Sequence, residues 1–164
     1  MSVVINGTGS ISGLSNVGGI DLPQTGSVLQ VVNSTYTPTV STSSSSYIAT
    51  GLAGTITPKF ATSKILVLIN HATCRKTGQN SNNYINMALQ RNNSDIVQIT
   101  SSGGYTGTAI DLYFTISYVH LDSPATTSAT TYRTTFANPN NVASVSVQTD
   151  GNVPSTITLM EIAG

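Results

Sequence analysis

No window of a dozen residues in this chain keeps apolar positions at three- and four-residue spacing without a Gly, a Pro or a Ser/Thr run breaking it. Short β-rich runs bounded by turn residues recur instead. The pattern excludes a helical domain. It predicts strands near 28–33, 47–50, 53–58, 64–71, 84–91, 95–101, 109–120, 130–137, 142–148 and 155–162. Turn clusters separate them, among them Thr77-Gly78-Gln79-Asn80, Ser102-Gly103-Gly104, Asn138-Pro139-Asn140-Asn141 and Asp150-Gly151-Asn152. In 142–148, Val142, Ser144, Ser146 and Gln148 alternate with Ala143, Val145 and Val147. Segment 64–71 is almost continuously apolar, which predicts a strand buried on both faces. Ten short strands at this spacing predict an all-β fold, an antiparallel β-sandwich of jelly-roll type.

Such a sandwich needs a polar exterior, and charge does not supply it here. Only 7% of residues are charged, against roughly a quarter in an ordinary soluble domain. The 22 Ser and 25 Thr among 164 residues, with 14 Asn, must cover the surface instead. Net charge is zero with six Lys plus Arg, which argues against a nucleic-acid partner, since that binding depends on neutralising phosphates. No basic cluster invites anionic lipid, and the longest strongly apolar run, Ile65 to Ile69, is far short of a membrane helix. No membrane partner is expected. Met-Ser-Val-Val-Ile-Asn-Gly at the start lacks the basic opening and apolar core of a signal peptide, so a soluble product made in a cytoplasm is expected.

Residues 1–26 differ from the domain expected over 27–164. Gly7, Gly9, Gly13, Gly18, Gly19 and Gly26 interrupt them, and single apolar residues dot the intervals. A segment of this kind has few ways to build its own core and reads as an extended arm that docks on a partner. Ile5, Ile11, Leu14, Ile20 and Leu22 are the expected contact residues. The alternative is a tail, or a strand of the domain's own sheet.

Catalytic parts are scarce. Asp111 and Asp122 flank the strand expected at 109–120, and about eleven residues at roughly 3.3 Å each hold them too far apart for a glycosidase pair. His71 and Cys74, with His120 as a remote third, fall short of a zinc ligand set and read as strand-end polar residues. A lone cysteine also excludes an intrachain disulfide. Gly7-Thr8-Gly9-Ser10-Ile11-Ser12-Gly13 misses the dinucleotide spacing by one, and Gly13-Leu14-Ser15-Asn16 lacks the second glycine of a nucleophile elbow. Neither catalytic residues, nor a metal site, nor a cofactor is expected. Of seven tyrosines, only Tyr105, in the Gly-rich stretch 103–107, is placed for a loop contact.

Two stretches carry a family likeness. One is Gly51-Leu52-Ala53-Gly54-Thr55-Ile56-Thr57-Pro58 followed by Thr62-Ser63-Lys64-Ile65-Leu66-Val67-Leu68-Ile69. The other is His120-Leu121-Asp122-Ser123-Pro124-Ala125-Thr126-Thr127 with Thr131-Tyr132, ending in Ser155-Thr156-Ile157-Thr158-Leu159-Met160-Glu161-Ile162. With the opening Ile5-Asn6-Gly7-Thr8-Gly9-Ser10-Ile11 and Gly26-Ser27-Val28-Leu29-Gln30-Val31-Val32, the chain resembles small β domains of virion structural proteins of tailed bacteriophages, notably those of cyanobacteria and marine bacteria. The resemblance spans roughly residues 1–8 and 26–162 and leaves 75–83 and 92–107 unmatched. It implies a homotrimer on the virion. An arm leading at once into a domain, with no internal repeat to build a shaft, suits a capsid decoration (cement) protein lying on the major capsid protein or another virion protein. The competing reading is a short fibre or tail-tip module whose loops Arg75–Asn83 and Asn92–Gly107 bind host-surface glycan.

Overall fold

In the computed structural model, the described residues are 23–164 and the backbone of two short strands, β1 (Asn16–Val17) and β2 (Ile20–Asp21). The other strands are β3 (Val28–Tyr36), β4 (Val40–Thr42), β5 (Ile48–Ile56), β6 (Lys64–Lys76), β7 (Ile85–Arg91), β8 (Ser94–Gly103), β9 (Leu112–Asp122), β10 (Thr130–Ala137), β11 (Val145–Val147) and β12 (Ser155–Ile162). Among the described residues there is no helix. β1 and β2 pair with each other, Asn16 opposite Asp21 and Val17 opposite Ile20. The Gly26 N–H donates to the Ala163 carbonyl at 2.8 Å, while the Ala163 N–H donates to the Ser27 carbonyl at 2.9 Å.

Eight strands make an antiparallel sandwich. One sheet runs β3-β12-β6-β9 and the other β5-β10-β7-β8, with β11 and β4 added beyond the far end of β6. Counted in chain order as one to eight, the sheets read 1-8-3-6 and 2-7-4-5. This is the jelly-roll order.

Alternation along the strands builds the core. In β12, Ser155, Ile157, Leu159 and Glu161 are buried while Thr156, Thr158, Met160 and Ile162 face outward, half-buried. In β5, Thr50, Leu52, Gly54 and Ile56 turn inward. Leu52, Ile56, Val67, Leu89, Tyr132 and Leu159 belong to one cluster, and Cys74, Met87, Ile116, Phe136 and Val147 to a second. Each such side chain contributes about 1.5–3 kcal/mol by leaving water. Several buried polar groups are paired, mostly between neighbouring strands of one sheet. Thr50 and Thr134 hydroxyls bond at 2.6 Å, and the Glu161 carboxylate accepts the Gln30 amide at 2.5 Å and the Lys59 N–H at 2.7 Å.

Several sequence expectations need correction. The strands expected at 47–50 and 53–58 are one strand, β5, which passes through Gly51 at φ 88 opposite a register shift in β10. Without a Cβ there, the ring of Tyr36 can lie over the backbone. The strand expected at 64–71 continues to Lys76 through a bulge, with Thr73 at φ 50 and the β9 register shifting between His71 and Cys74. His71 and Cys74 are therefore interior to β6 rather than at a strand end. Nor is 64–71 buried on both faces: Ile65, Val67, Ile69 and His71 are buried, but Leu66, Leu68 and Asn70 are only half-buried. The strand expected at 142–148 shrinks to Val145–Val147, because Gln148 at φ 52 ends it. Its polar side is buried too: Ser146 bonds Ser41 at 2.9 Å and Gln148 bonds His71 at 3.0 Å. β9 starts and ends later than the expected 109–120, and β4 has no counterpart among the expected strands.

Candidate functional site

The outer face of the β3-β12-β6-β9 sheet carries a continuous apolar row. Cross-strand register sets Val31 opposite Met160, Met160 opposite Leu66, and Leu66 opposite Leu121. Thr158, Leu68 and Val119 form the next row, beginning at Asn33. Hydrogen bonds from Asn33 to Thr158 at 2.7 Å and from Ser117 to Asn70 at 2.9 Å fix these side chains on that face. Val31, Val119 and Leu121 are 56%, 60% and 51% exposed. The outward positions of the four strands carry no charge except Lys64 at one end and Arg75 at the other, where Arg75 stacks on Tyr113 at 5.4 Å and pairs with Asp111 at 3.0 Å. An apolar row four strands wide thus lies on the outer face of this sheet.

The row runs up to a free flank. Among the described residues β9 pairs only with β6 and β8 only with β7, so each is an edge strand of its sheet. They lie on the same side of the sandwich: a Cβ on Gly104 would fall on the Phe114 ring, and one on Gly103 would touch Ile116. Between them Ile96, Val97, Ile99 and Phe114 are only half-buried although they pack against the core. Long unpaired edges invite pairing or packing by another chain.

A third feature lies at the loops. Tyr105, 52% exposed, meets Tyr84 edge-to-face with ring centroids 5.5 Å apart. Asn82, Ser102 and Asn140 complete a shallow cleft around them, and the Asn140 amide donates to the Asn82 carbonyl at 2.8 Å. Among the described residues, the Asn82 side chain and the two tyrosine hydroxyls have no hydrogen-bond partner. The cleft is uncharged, polar and aromatic.

The candidate catalytic groups are dispersed and bonded. Asp111 and Asp122 sit at opposite ends of β9. Asp111 accepts from Arg75 and the Gly78 N–H, and Asp122 from Arg91 and the Tyr132 hydroxyl, the latter at 2.6 Å. His71 lies between Thr134 at 2.8 Å and Gln148, and burial pulls its pKa down to about 4. Burial pushes the Cys74 thiol up to about 12, which leaves no thiolate near neutrality. Among the described residues no three His, Cys, Asp or Glu side chains gather as a metal site would require.

Of the expected contact residues, Ile5, Ile11, Leu14 and Leu22 lie outside the described residues, and Ile20 is described only as a backbone position in β2. The outer-face row was not among the expectations. Its signal was the presence of Leu66 and Leu68 between the buried Ile65, Val67 and Ile69.

No family model and no curated protein matches the chain. Among solved structures, it is similar to the crystal structure of the infectious bursal disease virus VP2 subviral particle, at 16% identity and TM-score 0.38 over 82% of this chain and 37% of that one. It is also similar to the structure of infectious bursal disease virus Gt strain, at 13% identity and TM-score 0.30 over 98% and 41% of the two chains. The chain thus spans about two fifths of the length of these solved chains. Strand order and register alone define the jelly roll.

Proposed function

We propose that this chain is a bacteriophage virion structural protein without catalytic activity: a homotrimeric capsid decoration protein, made in the host bacterial cytoplasm and anchored by residues 1–26 to the major capsid protein or another virion protein. The observation that carries the reading is the partly exposed apolar row Val31–Met160–Leu66–Leu121 on the outer face of a charge-poor domain. Closed symmetric assembly is the usual way to cover such a face. The tailed-phage resemblance of residues 51–69 and 120–162 supports the virion setting, and an uncharged surface tolerates changing ionic strength. A chain beginning at Gly26 tests the anchor. It is expected to fold and trimerise yet fail to bind capsids lacking the protein; full decoration by the shortened trimer would place the anchor elsewhere.

The Tyr84–Tyr105 cleft favours a second reading, a short fibre or tail-tip module that binds neutral host-surface glycan. Two aromatic rings with unpaired amide and hydroxyl groups suit an uncharged sugar. Tight binding of the same shortened trimer to host cells, abolished by Tyr105→Ala, would favour this reading over decoration.

A further inference from the structure

We infer that Lys76 is a positioning residue for the Tyr84–Tyr105 cleft, holding it preformed for the face of a neutral sugar ring. The inference deepens the second reading above and rests on it, naming the residue that builds the site. Lys76 ends β6 and is completely buried, yet among the described residues no carboxylate pairs with it. Its side chain bonds the loop after β8 instead, donating to the Thr106 hydroxyl at 2.5 Å and the Thr108 carbonyl at 3.0 Å. Residues 105–110 are all exposed, so no buried apolar side chain of their own ties them down. Taking a lysine out of water for two neutral oxygens costs stability. Its effect is to fix the loop one residue from Tyr105.

The next residue along builds the other wall. The Thr77 carbonyl accepts the Asn83 amide at 2.9 Å, and the same amide donates to the Ser144 carbonyl at 2.9 Å. The Asn138 amide donates to Asn83 Oδ1 at 3.0 Å, and Asn138 Oδ1 accepts the Asn140 N–H at 3.2 Å. Asn83 and Asn138 are both completely buried, and they set their neighbours Asn82 and Asn140 at the cleft. Three loops thus meet at the end of β6, Lys76 fixing one and Thr77 tying down the other two. A satisfied buried polar network of this kind specifies one geometry. The surface it supports is uncharged, with the two tyrosine rings at 84° to each other. A tyrosine ring can pack on the C–H face of a sugar while amides and hydroxyls meet its hydroxyl groups. No charged side chain lines the cleft, so a sugar carboxylate finds no ion-pair partner there.

Saturation-transfer NMR on the full chain tests the site, with glucose, galactose, mannose and N-acetylglucosamine as probes and N-acetylneuraminate as the charged control. At least one neutral sugar is expected to bind, Tyr105→Ala to abolish its signal, and the charged control to stay silent. Lys76→Met is expected to weaken that sugar about tenfold, as it would if the loop stood in place about a tenth of the time. Hydrogen exchange across 103–111 should quicken in this variant while the melting temperature does not fall. Thr106→Val removes one of the two bonds at an exposed position, so it should weaken binding in the same direction even if Lys76→Met fails to fold. Affinity unchanged in both variants, or lost only in step with a lower melting temperature, would overturn the role of Lys76 and leave the glycan reading standing. Failure of all four neutral sugars to bind, or binding that survives Tyr105→Ala, would overturn the cleft as a sugar site. Binding of N-acetylneuraminate alone would overturn the neutral class.

Discussion

Leu66 of β6 and Leu121 of β9 stand directly opposite each other on the outer face of their sheet, where Leu121 remains half exposed. A pair in that position adds little to the isolated domain, since neither side chain has left water fully. It matters when another chain covers it. Leu121→Thr should therefore change the unfolding free energy of the separated subunit by less than about 1 kcal/mol. The melting temperature of the intact chain should rise with concentration, as mass action requires of an assembly, and that dependence should flatten in the variant. A concentration-independent melting temperature in the intact chain would argue against assembly through this face.

His71 predicts a pH response. Burial holds its folded pKa near 4, below the unfolded value of 6.5, so the unfolded chain binds the extra proton between these values. The stabilisation is complete above pH 6.5 and is lost as pH falls toward 4, an effect on the order of 3 kcal/mol. Denaturant unfolding between pH 7 and 4 should show it, and His71→Gln should flatten the curve across that window. An equally steep curve in the variant would assign the loss to other groups.

Gly51 supports β5 where Tyr36 of β3 crosses it. Alanine there meets two penalties, a left-handed φ of 88 and the Tyr36 ring in the space a Cβ needs. Gly51→Ala should destabilise by about 2–3 kcal/mol. Adding Tyr36→Ala relieves the clash but not the backbone strain, so chemical denaturation of the double variant should reveal a favourable coupling. Strict additivity would mean that the ring is not the obstacle.

Tyr132 and Asp122 form the third testable contact. Burial first, and then the Asp122 carboxylate, push the Tyr132 phenol well above its ordinary pKa, so the hydroxyl stays a donor at any working pH. Tyr132→Phe should cost about 1–2 kcal/mol, because Arg91 still pairs with Asp122 at 2.7 Å. Asp122→Ala should cost more, since it strands both the phenol and the guanidinium. Equal losses would show that the pair with Arg91 contributes nothing.

The fold was legible where alternation was regular. Ile157 and Leu159 alternating with Thr156 and Thr158 define β12 unaided, and Asp111 and Asp122 fall at strand ends as their spacing suggested. It was not legible where the backbone breaks the two-residue period. Thr73 at φ 50 shifts the inward parity of β6, and Gly51 reads as a turn although it sits inside a strand. The three-residue β4, Val-Ser-Thr, is indistinguishable from the Ser-rich loops around it. The site was harder still. Leu66 and Leu68 announce apolarity, but a sequence does not say whether a core or another chain covers it. Tyr105 meets Tyr84 only because the loop after β8 folds back beside the start of β7, a pairing that no local pattern encodes.

Electron cryo-microscopy of phage particles assembled with and without this chain would show directly whether a trimer of it decorates the capsid. Particles lacking it are expected to lose three-fold-symmetric, domain-sized density from the outer capsid lattice while the tail is unchanged. Loss of density at the tail tip or a fibre, with the capsid surface intact, would contradict that expectation.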